Sequence, residues 1–177
     1  MRKKHVAALL LGFLPLFAGA GTATAATAND QSGRYCVMVV GKAAPGKASP
    51  VLSHKCADDM ATATRRAGMT ESAASDTLLM EWFWNANNNP PKLTRVLGKY
   101  GPCDAQGYVI NVYDDWTNQI SGFNSYNDCN HVAGYDLSLQ QGDYDIWEQH
   151  NPCGCTLQGW VGSFMNDRIE SFRIRAT

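Results

Sequence analysis

The side chains that could perform covalent or acid–base catalysis do not fall into the pattern of a known active site. The histidines beyond the N-terminal segment are His54, His131 and His150. Cys129 lies two residues before His131, but closeness along the chain does not fix geometry, and an oxidised cysteine is no nucleophile. The sequence also contains no G-x-S-x-G elbow, no H-E-x-x-H pair and no Gly-rich phosphate loop. We therefore predict that this protein is not an enzyme and has no catalytic residues.

Acidic residues close to aromatic ones offer one alternative, a pair of carboxylates of the kind that glycosidases use. Five of them have aromatic neighbours in the sequence: Asp114, Asp115, Asp143, Asp145 and Glu148. Acidic residues at turns usually cap the backbone or face water, which explains their presence without catalysis.

Tryptophans suggest a second alternative, in which rings stack on a carbohydrate. Strand alternation places Trp82 and Trp84 on one face and Phe83 on the other. One face of a strand normally enters the core, so this role requires both tryptophans to be exposed together.

All six cysteines lie beyond the N-terminal segment, and we expect them to form disulfides in an oxidising compartment. Six cysteines allow 15 connectivities, and sequence alone does not choose among them. Proximity along the chain favours three pairs: Cys36 with Cys56, Cys103 with Cys129, and Cys153 with Cys155. The last ring is tight. Together with His150 its two sulfurs could instead bind zinc, although export favours the disulfide.

The N-terminal segment has the three parts of an export signal. A basic n-region at residues 2–4 precedes an apolar core at residues 6–17, and A-x-A cleavage patterns follow at 23–25 and 26–28. The apolar core is too short to span a bilayer, and no charged stop-transfer flank follows it. We predict a signal peptide at residues 1–25, or 1–28 with the second site, and a secreted, extracellular protein with no membrane partner.

Composition and charge limit the partners of the mature chain. About 150 residues remain after the signal, enough for one domain with its own core. The signal removes three of the 15 basic residues and none of the 16 acidic ones, so the mature net charge is −4. Nucleic acid requires clustered Lys and Arg, so we do not expect it as a partner. We expect a monomer.

The mature sequence divides into an N-terminal extension, residues 33–74, and a β-rich part, residues 77–177. The extension predicts a strand at 35–40, a loop, a returning strand at 51–56, and a short helix within 57–74 that stops near Gly68. Beyond residue 77, short β-branched and aromatic runs alternate with turn residues, which indicates a sandwich or barrel.

An internal repeat divides the β-rich part into two copies of a four-strand unit. The segment TNQISGF at 117–123 matches NDRIESF at 166–172 without a gap, at an offset of 49. A looser pairing sets Trp84 and the loop after it against Tyr126 and its loop, with Leu97 opposite Leu139, at an offset of 42.

These segments resemble the βγ-crystallins, whose Greek-key motifs carry the signature N/D-N/D-x-x-S/T-S before an apolar strand. Residues 166–171 fit five of the six positions, with Glu170 as the exception. The earlier copy is poorer, because Thr117 and Gly122 replace the first and last signature residues. Residues 126–146 are similar to the opening hairpin of that family. The resemblance implies an all-β, two-motif Greek-key sandwich, to which the small disulfide-tied extension is attached.

In the family that this sequence resembles, paired signatures often form calcium sites. The residues implied as metal ligands here are Asn118, Ser121, Asn166, Asp167 and Glu170. Their side chains supply the oxygen atoms that calcium requires. Glu170 either provides a charged ligand where a hydroxyl is usual or misses the ion and points to solvent. Because Thr117 also departs from the signature, we expect weak or single-site binding or none.

The resemblance implies several functions, because exported proteins of this fold include calcium-binding modules, protease inhibitors and growth-inhibiting toxins. Our leading hypothesis is a secreted, non-enzymatic binding protein, with calcium as its candidate ion and a cell-surface component as a possible partner. The alternative is an inhibitor of an extracellular protease. Such an inhibitor needs a rigid exposed loop, and residues 87–91 and 151–153 are the candidates.

Overall fold

Short strands dominate the part of the chain that the structure, a computed structural model, describes: residues 34–69, 76–86, 91–148 and 157–177. The strands are β1 (Tyr35–Val40), β2 (Val51–Ala57), β3 (Thr77–Phe83), β4 (Leu93–Gly98), β5 (Tyr108–Asn111), β6 (Gly122–Ser125), β7 (His131–Leu137), β8 (Gln141–Glu148), β9 (Leu157–Gln158) and β10 (Ser171–Arg175). The helices are α1 (Met60–Arg66) and α2 (Gly162–Met165), and single 3-10 turns occur at Asp114–Trp116 and Ser138–Gln140.

The strands form two sheets that share a duplicated design. Sheet A has the order β2-β1-β4-β3-β6-β9, and sheet B has the order β5-β10-β7-β8. In the first unit, β3 to β6, the fourth, first and second strands lie side by side in sheet A, as in a Greek key, while the third strand β5 lies in sheet B. In the second unit, β7 to β10, the fourth, first and second strands lie side by side in sheet B, while the third strand β9 lies in sheet A. Each unit therefore contributes an edge strand to the sheet of the other unit.

The main core lies between the sheets and is built from large aromatic side chains. Trp82 of β3 stacks on Phe172 of β10 with ring centroids 5.8 Å apart, and Phe123 of β6 meets Phe172 edge to face at the same distance. All three rings are buried. Aromatic residues of this size bury roughly 150–250 Å² each, so these contacts account for much of the apolar burial between the sheets.

The N-terminal extension is an integral part of sheet A. Its strand β1 pairs antiparallel with β2 and parallel with β4, so that Tyr35 lies opposite Leu93. Helix α1 then packs on the outer face of this sheet and forms a second small core with Val37, Val39 and Leu97. The extension therefore continues the sheet of the first unit.

Helix α1 begins and ends where its sequence indicates. The side chain of Asp59 caps its N-terminus by accepting a 2.8 Å hydrogen bond from the Thr62 amide. Gly68 follows the helix with φ +77°, a left-handed conformation that glycine adopts at little cost. The expected stop near Gly68 is thus confirmed.

The β1–β2 loop also reaches sheet B. The Ser49 amide donates a 2.7 Å hydrogen bond to the Val109 carbonyl on edge strand β5, and the Val109 amide donates one of 3.1 Å to Ser49 Oγ. Ser49 is itself buried. One excursion of the chain therefore contacts an edge of each sheet.

Two of the three predicted disulfides lie among the described residues, and both are confirmed. Cys36–Cys56 joins β1 to β2, and Cys103–Cys129 joins the loop after β4 to the loop before β7. The third pair lies outside the described residues, as do the predicted signal peptide and His150. Within the part that the structure describes, no helix has the length and apolar character needed to cross a membrane.

The looser repeat pairing at an offset of 42 is wrong. Phe83 of β3 lies opposite Gly122 of β6, and Tyr135 of β7 lies opposite Ser171 of β10. Because Gly122 and Ser171 are equivalent in the ungapped repeat, Phe83 corresponds to Tyr135, an offset of 52. Asn-rich turns recur between many strands, so the loops suggested a false register that the hydrogen-bonded strands do not follow.

Candidate functional site at the paired corners

The two repeat segments form equivalent corners, one at residues 117–121 before β6 and one at 166–170 before β10. We call them the paired corners. Asn118 and Asp167, which are equivalent in the repeat, have φ values of 57° and 55°. Asn and Asp tolerate this left-handed conformation better than most residues, which explains their use at the second signature position. Ile120 and Ile169 follow in each corner, and both are fully buried.

Backbone hydrogen bonds show the same equivalence. The Val112 amide donates to the Glu170 carbonyl at 2.8 Å, and the Val161 amide donates to the Ser121 carbonyl at 3.0 Å. The two donors, Val112 and Val161, are 49 residues apart in the sequence, and so are the two acceptors, Ser121 and Glu170. The corners are therefore related by an approximate two-fold axis, and each is held by the strand-forming region of the other unit.

Side chains meet across this axis in two reciprocal pairs. Ser121 Oγ donates a hydrogen bond of 3.1 Å to Asp167 Oδ1. Asn118 Nδ2 donates one of 3.4 Å, a long contact, to Glu170 Oε1. In each pair the second signature position of one corner meets the fifth position of the other. The structure thus brings together four of the five residues predicted as ligands.

The reciprocal arrangement explains the departure at Glu170. One pair combines a carboxylate at position two, Asp167, with a hydroxyl at position five. The other combines an amide at position two with a carboxylate at position five, Glu170. Each pair contains one carboxylate and one neutral oxygen-bearing group. The carboxylate is at position two in the Asp167 pair and at position five in the Glu170 pair. The Glu170 carboxylate thus contacts Asn118 of the other corner, and its two alternative roles towards an ion stay predictions.

Asn166, the fifth predicted residue, lies beside the carboxylate of its own corner. Its Nδ2 donates a 2.7 Å hydrogen bond to Asp167 Oδ2, and its Oδ1 accepts one of 3.2 Å from Trp160 Nε1. With Ser121 on one carboxylate oxygen and Asn166 on the other, Asp167 is held at both oxygens. Asn166 thus positions Asp167.

Arg168 ties the second corner to the β7–β8 hairpin. Its Nη2 contacts Asp136 Oδ2 at 2.6 Å and Asp143 Oδ2 at 2.9 Å. Hydrogen bonds to Asp143 and then Asp136 raise the pKa of the Arg168 guanidinium. Two carboxylates of the hairpin therefore compensate the positive charge of Arg168. The equivalent residue of the first corner is Gln119, which carries no charge.

The side-chain oxygen atoms at the paired corners are suited to bind a hard cation. All four cross-corner residues can offer oxygen, and two of them are carboxylates, which calcium favours over nitrogen or sulfur ligands. Asn118 and Asp167 are exposed, Glu170 is half-buried and Ser121 is buried. The four side chains would hold a cation in two places, and peptide carbonyls and water would have to complete its six to eight ligands.

The sulfur and histidine residues do not form a competing site among the described residues. Cys129 is bonded to Cys103, and the His131 ring is paired with Glu148, which removes the imagined Cys–His nucleophile. Cys36, His54 and Cys56 also lie close together. Both of these sulfurs form a disulfide, so they cannot act as thiolate ligands.

The tryptophan alternative fails at Trp82. This ring is 1% exposed and belongs to the core, while Trp84, just beyond the end of β3, is 36% exposed with the Lys92 ammonium 4.2 Å from its ring centroid. The two rings therefore cannot bind one carbohydrate together. The zinc alternative and the protease-binding loops lie outside the described residues, apart from Pro91, and stay predictions.

The strand order and the paired corners together define a βγ-crystallin-like fold, as the signature predicted. Neither a family model nor a curated protein matches the sequence. Two solved structures are similar. One is a doubly substituted βγ-crystallin domain from Clostridium beijerinckii, with a TM-score of 0.41 and 15% identity over 57% of this chain and 100% of that one. The other is a βγ-crystallin from an archaeon, with a TM-score of 0.37 and 15% identity over 55% and 98%. At these levels the likeness concerns the fold and carries no conclusion about activity.

Proposed function

We propose that this protein is a secreted, non-enzymatic binding protein whose βγ-crystallin-like domain binds calcium at the paired corners. The observation that carries the proposal is the reciprocal contact of Ser121 with Asp167 and of Asn118 with Glu170. Four oxygen-bearing side chains from distant parts of the chain converge there, and each pair includes one carboxylate.

Each pair would hold calcium through its carboxylate and its neutral oxygen group. The Ser121 and Asn118 hydrogens that now point at carboxylates would turn away and leave oxygen atoms towards the ion. Calcium sites bind more weakly as their number of charged ligands falls, and each pair supplies one. We therefore expect weak binding that links the two corners and stabilises the fold by mass action.

Secretion is supported by the two disulfides, because such bonds persist in oxidising compartments and are rare in the cytosol. The export signal remains a prediction from the sequence. N-terminal sequencing of the protein recovered from culture medium would test it, with a start at Ala26 or Asn29 as the expected result.

Calorimetric titration of the mature protein with calcium chloride tests the ion site directly. We expect heat of binding and a melting temperature that rises in millimolar calcium. Asp167→Asn and Glu170→Gln should each weaken one site, and the double variant should abolish both. Asp128→Asn is a matched control, since Asp128 is also exposed with a left-handed φ of 65° but lies outside the corners. An unchanged melting temperature and no heat for the wild type would refute calcium binding.

Protease inhibition, the alternative function, needs its own assay. Incubation of the mature protein with a panel of metallo- and serine proteases would support it by sub-micromolar inhibition. No inhibition across the panel would count against it.

A further inference from the structure

A second, separate candidate site lies where the β1–β2 loop crosses the outer side of sheet B. Residues 43–47 of this loop form one wall of a pocket, and Gln106, Val109, Gln140 and Arg173 complete it. Its volume is about 300 Å³, near the lower end of the usual range for small-molecule sites. None of these residues belongs to the paired corners.

The walls of the pocket are held by hydrogen bonds within the fold. The loop is anchored by Ser49 on β5, and Gln106 Nε2 donates a 2.8 Å bond to the Ala43 carbonyl. On the other side, the Gln140 amide donates to Ser171 Oγ at 3.1 Å. A ligand would therefore meet a largely formed pocket and would not have to order the loop.

The charge of the pocket has one sign. Lys47 and Arg173 line it, and among the described residues no acidic one does. Neither cationic side chain forms an ion pair or a hydrogen bond with any residue that the structure describes. Other cations of the surface do have carboxylate partners, as in the pairs Lys42–Asp104 and Arg168–Asp136.

Arg173 is the unusual member, because its charge is partly withdrawn from water. It points outward from β10 between Phe172 and Ile174, which are both fully buried in the main core. Arg173 is half-buried, and its Nε atom is buried without a hydrogen-bond acceptor in the described part of the chain. An unsatisfied buried donor of a charged group is costly, so some compensating interaction is expected.

We propose that this pocket binds a small oxyanion, a carboxylate or phosphate group carried on a molecule no larger than a monosaccharide. The planar guanidinium of Arg173 would pair with two oxygens of the group, which lysine alone cannot do. Lys47 would add a second positive charge from the loop, and the side-chain amide of Gln140 could donate to a third oxygen. The anion would supply the counter-charge that Arg173 lacks.

Backbone-amide NMR of the mature protein, titrated separately with inorganic phosphate, sulfate and glucuronate, tests this proposal. Saturable shifts confined to residues 43, 44, 46, 47, 106, 140 and 173 are the expected result with at least one anion. The order of affinities would distinguish a phosphate-type ligand from a carboxylate. We expect Arg173→Gln to weaken binding about tenfold or more, as the loss of a charge-assisted hydrogen bond does. Lys47→Gln, in the exposed loop, should weaken it less without affecting folding.

Arg175→Gln is the matched control, because Arg175 lies two residues further along the same strand and face but does not line the pocket. The anion affinity of this control variant should stay within about twofold of that of the wild type. Non-saturable shifts, or equal losses in the Arg173 and Arg175 variants, would overturn the proposal by showing only a general attraction of anions. Asp167→Asn should leave anion binding unchanged, which separates this result from that of the calcium experiment.

Discussion

Ser121 Oγ donates a hydrogen bond to Asp167 Oδ1 across a separation of 46 residues. Its counterpart, Asn118 with Glu170, spans 52 residues. These separations lie three residues below and three above the repeat offset of 49, as expected when a two-fold axis exchanges positions two and five of equivalent corners. The duplication is therefore visible in the side-chain contacts as well as in the strands.

Exchanging the chemical groups of one pair should make the two ion sites alike. Asn118→Asp combined with Glu170→Ser would give that pair the carboxylate and hydroxyl in the positions that Asp167 and Ser121 occupy. Charge is conserved, so we expect the double variant to bind calcium at two sites of more similar affinity than the wild type. Calorimetry would measure both. Loss of one site in the double variant, but not in the wild type, would contradict the equivalence of the pairs.

The buried isoleucines of the corners should contribute similarly to stability. Ile120 and Ile169 are both fully buried in the same core. Replacing either by alanine removes buried methyl groups and leaves a cavity, which costs roughly 2–5 kcal/mol of unfolding free energy. Urea denaturation of the two single variants would measure this. A cost below about 1 kcal/mol at one site would show that its corner can collapse, and the equivalence would then fail there.

The disulfide Cys103–Cys129 should stabilise the fold chiefly by restricting the unfolded chain. It closes a segment with a sequence separation of 26. For a loop of that length the chain-entropy relation gives about 3–4 kcal/mol. We expect the double variant Cys103→Ser, Cys129→Ser to lose about that much unfolding free energy in non-reducing denaturant. The other disulfide remains as an internal control, since mass spectrometry should still find Cys36 joined to Cys56.

Alkaline pH should destabilise the protein partly through Tyr126. Burial raises the pKa of Tyr126, a hydrogen bond from Asn124 lowers it, and the hydrogen-bonded carboxylate of Glu81 raises it again, with a net rise. The fold thus favours the neutral phenol. This contribution is complete below the unfolded pKa of about 10 and is lost as pH rises through the higher folded value.

Unfolding free energies measured by denaturant between about pH 9 and 11 would test this linkage. Tyr126→Phe should reduce the fall in stability over that range. Tyr100→Phe should not, because Tyr100 is 68% exposed. An equally steep fall in the Tyr126 variant would assign the effect to other groups.

Local sequence signals predicted the elements well wherever one cause dominated. Apolar runs and turn residues located β1 and β2, and Gly68 marked the end of the α1 region. The ungapped repeat also predicted the paired corners, because the left-handed position and the buried isoleucine are both encoded in neighbouring residues.

Long-range pairing could not be predicted in the same way. The parallel contact of β1 with β4 joins segments about 58 residues apart, and no local pattern specifies a parallel partner. The exchange of β5 and β9 between sheets was missed for the same reason. Arg173 was overlooked because an isolated arginine in a strand looks like any solvated residue until its buried Nε and its neighbours are known.

Two contacts of the N-terminal extension bear on solubility. Strand β1 pairs in parallel with β4, and Ser49 is hydrogen-bonded to Val109 of β5. Without residues 34–69, β4 and β5 would each present a bare row of amides and carbonyls at the rim of its sheet. Edge strands with unpaired backbone groups can pair with strands of other molecules, which promotes aggregation. The extension covers β4 and the Val109 position of β5, so a fragment restricted to the duplicated units would be expected to self-associate.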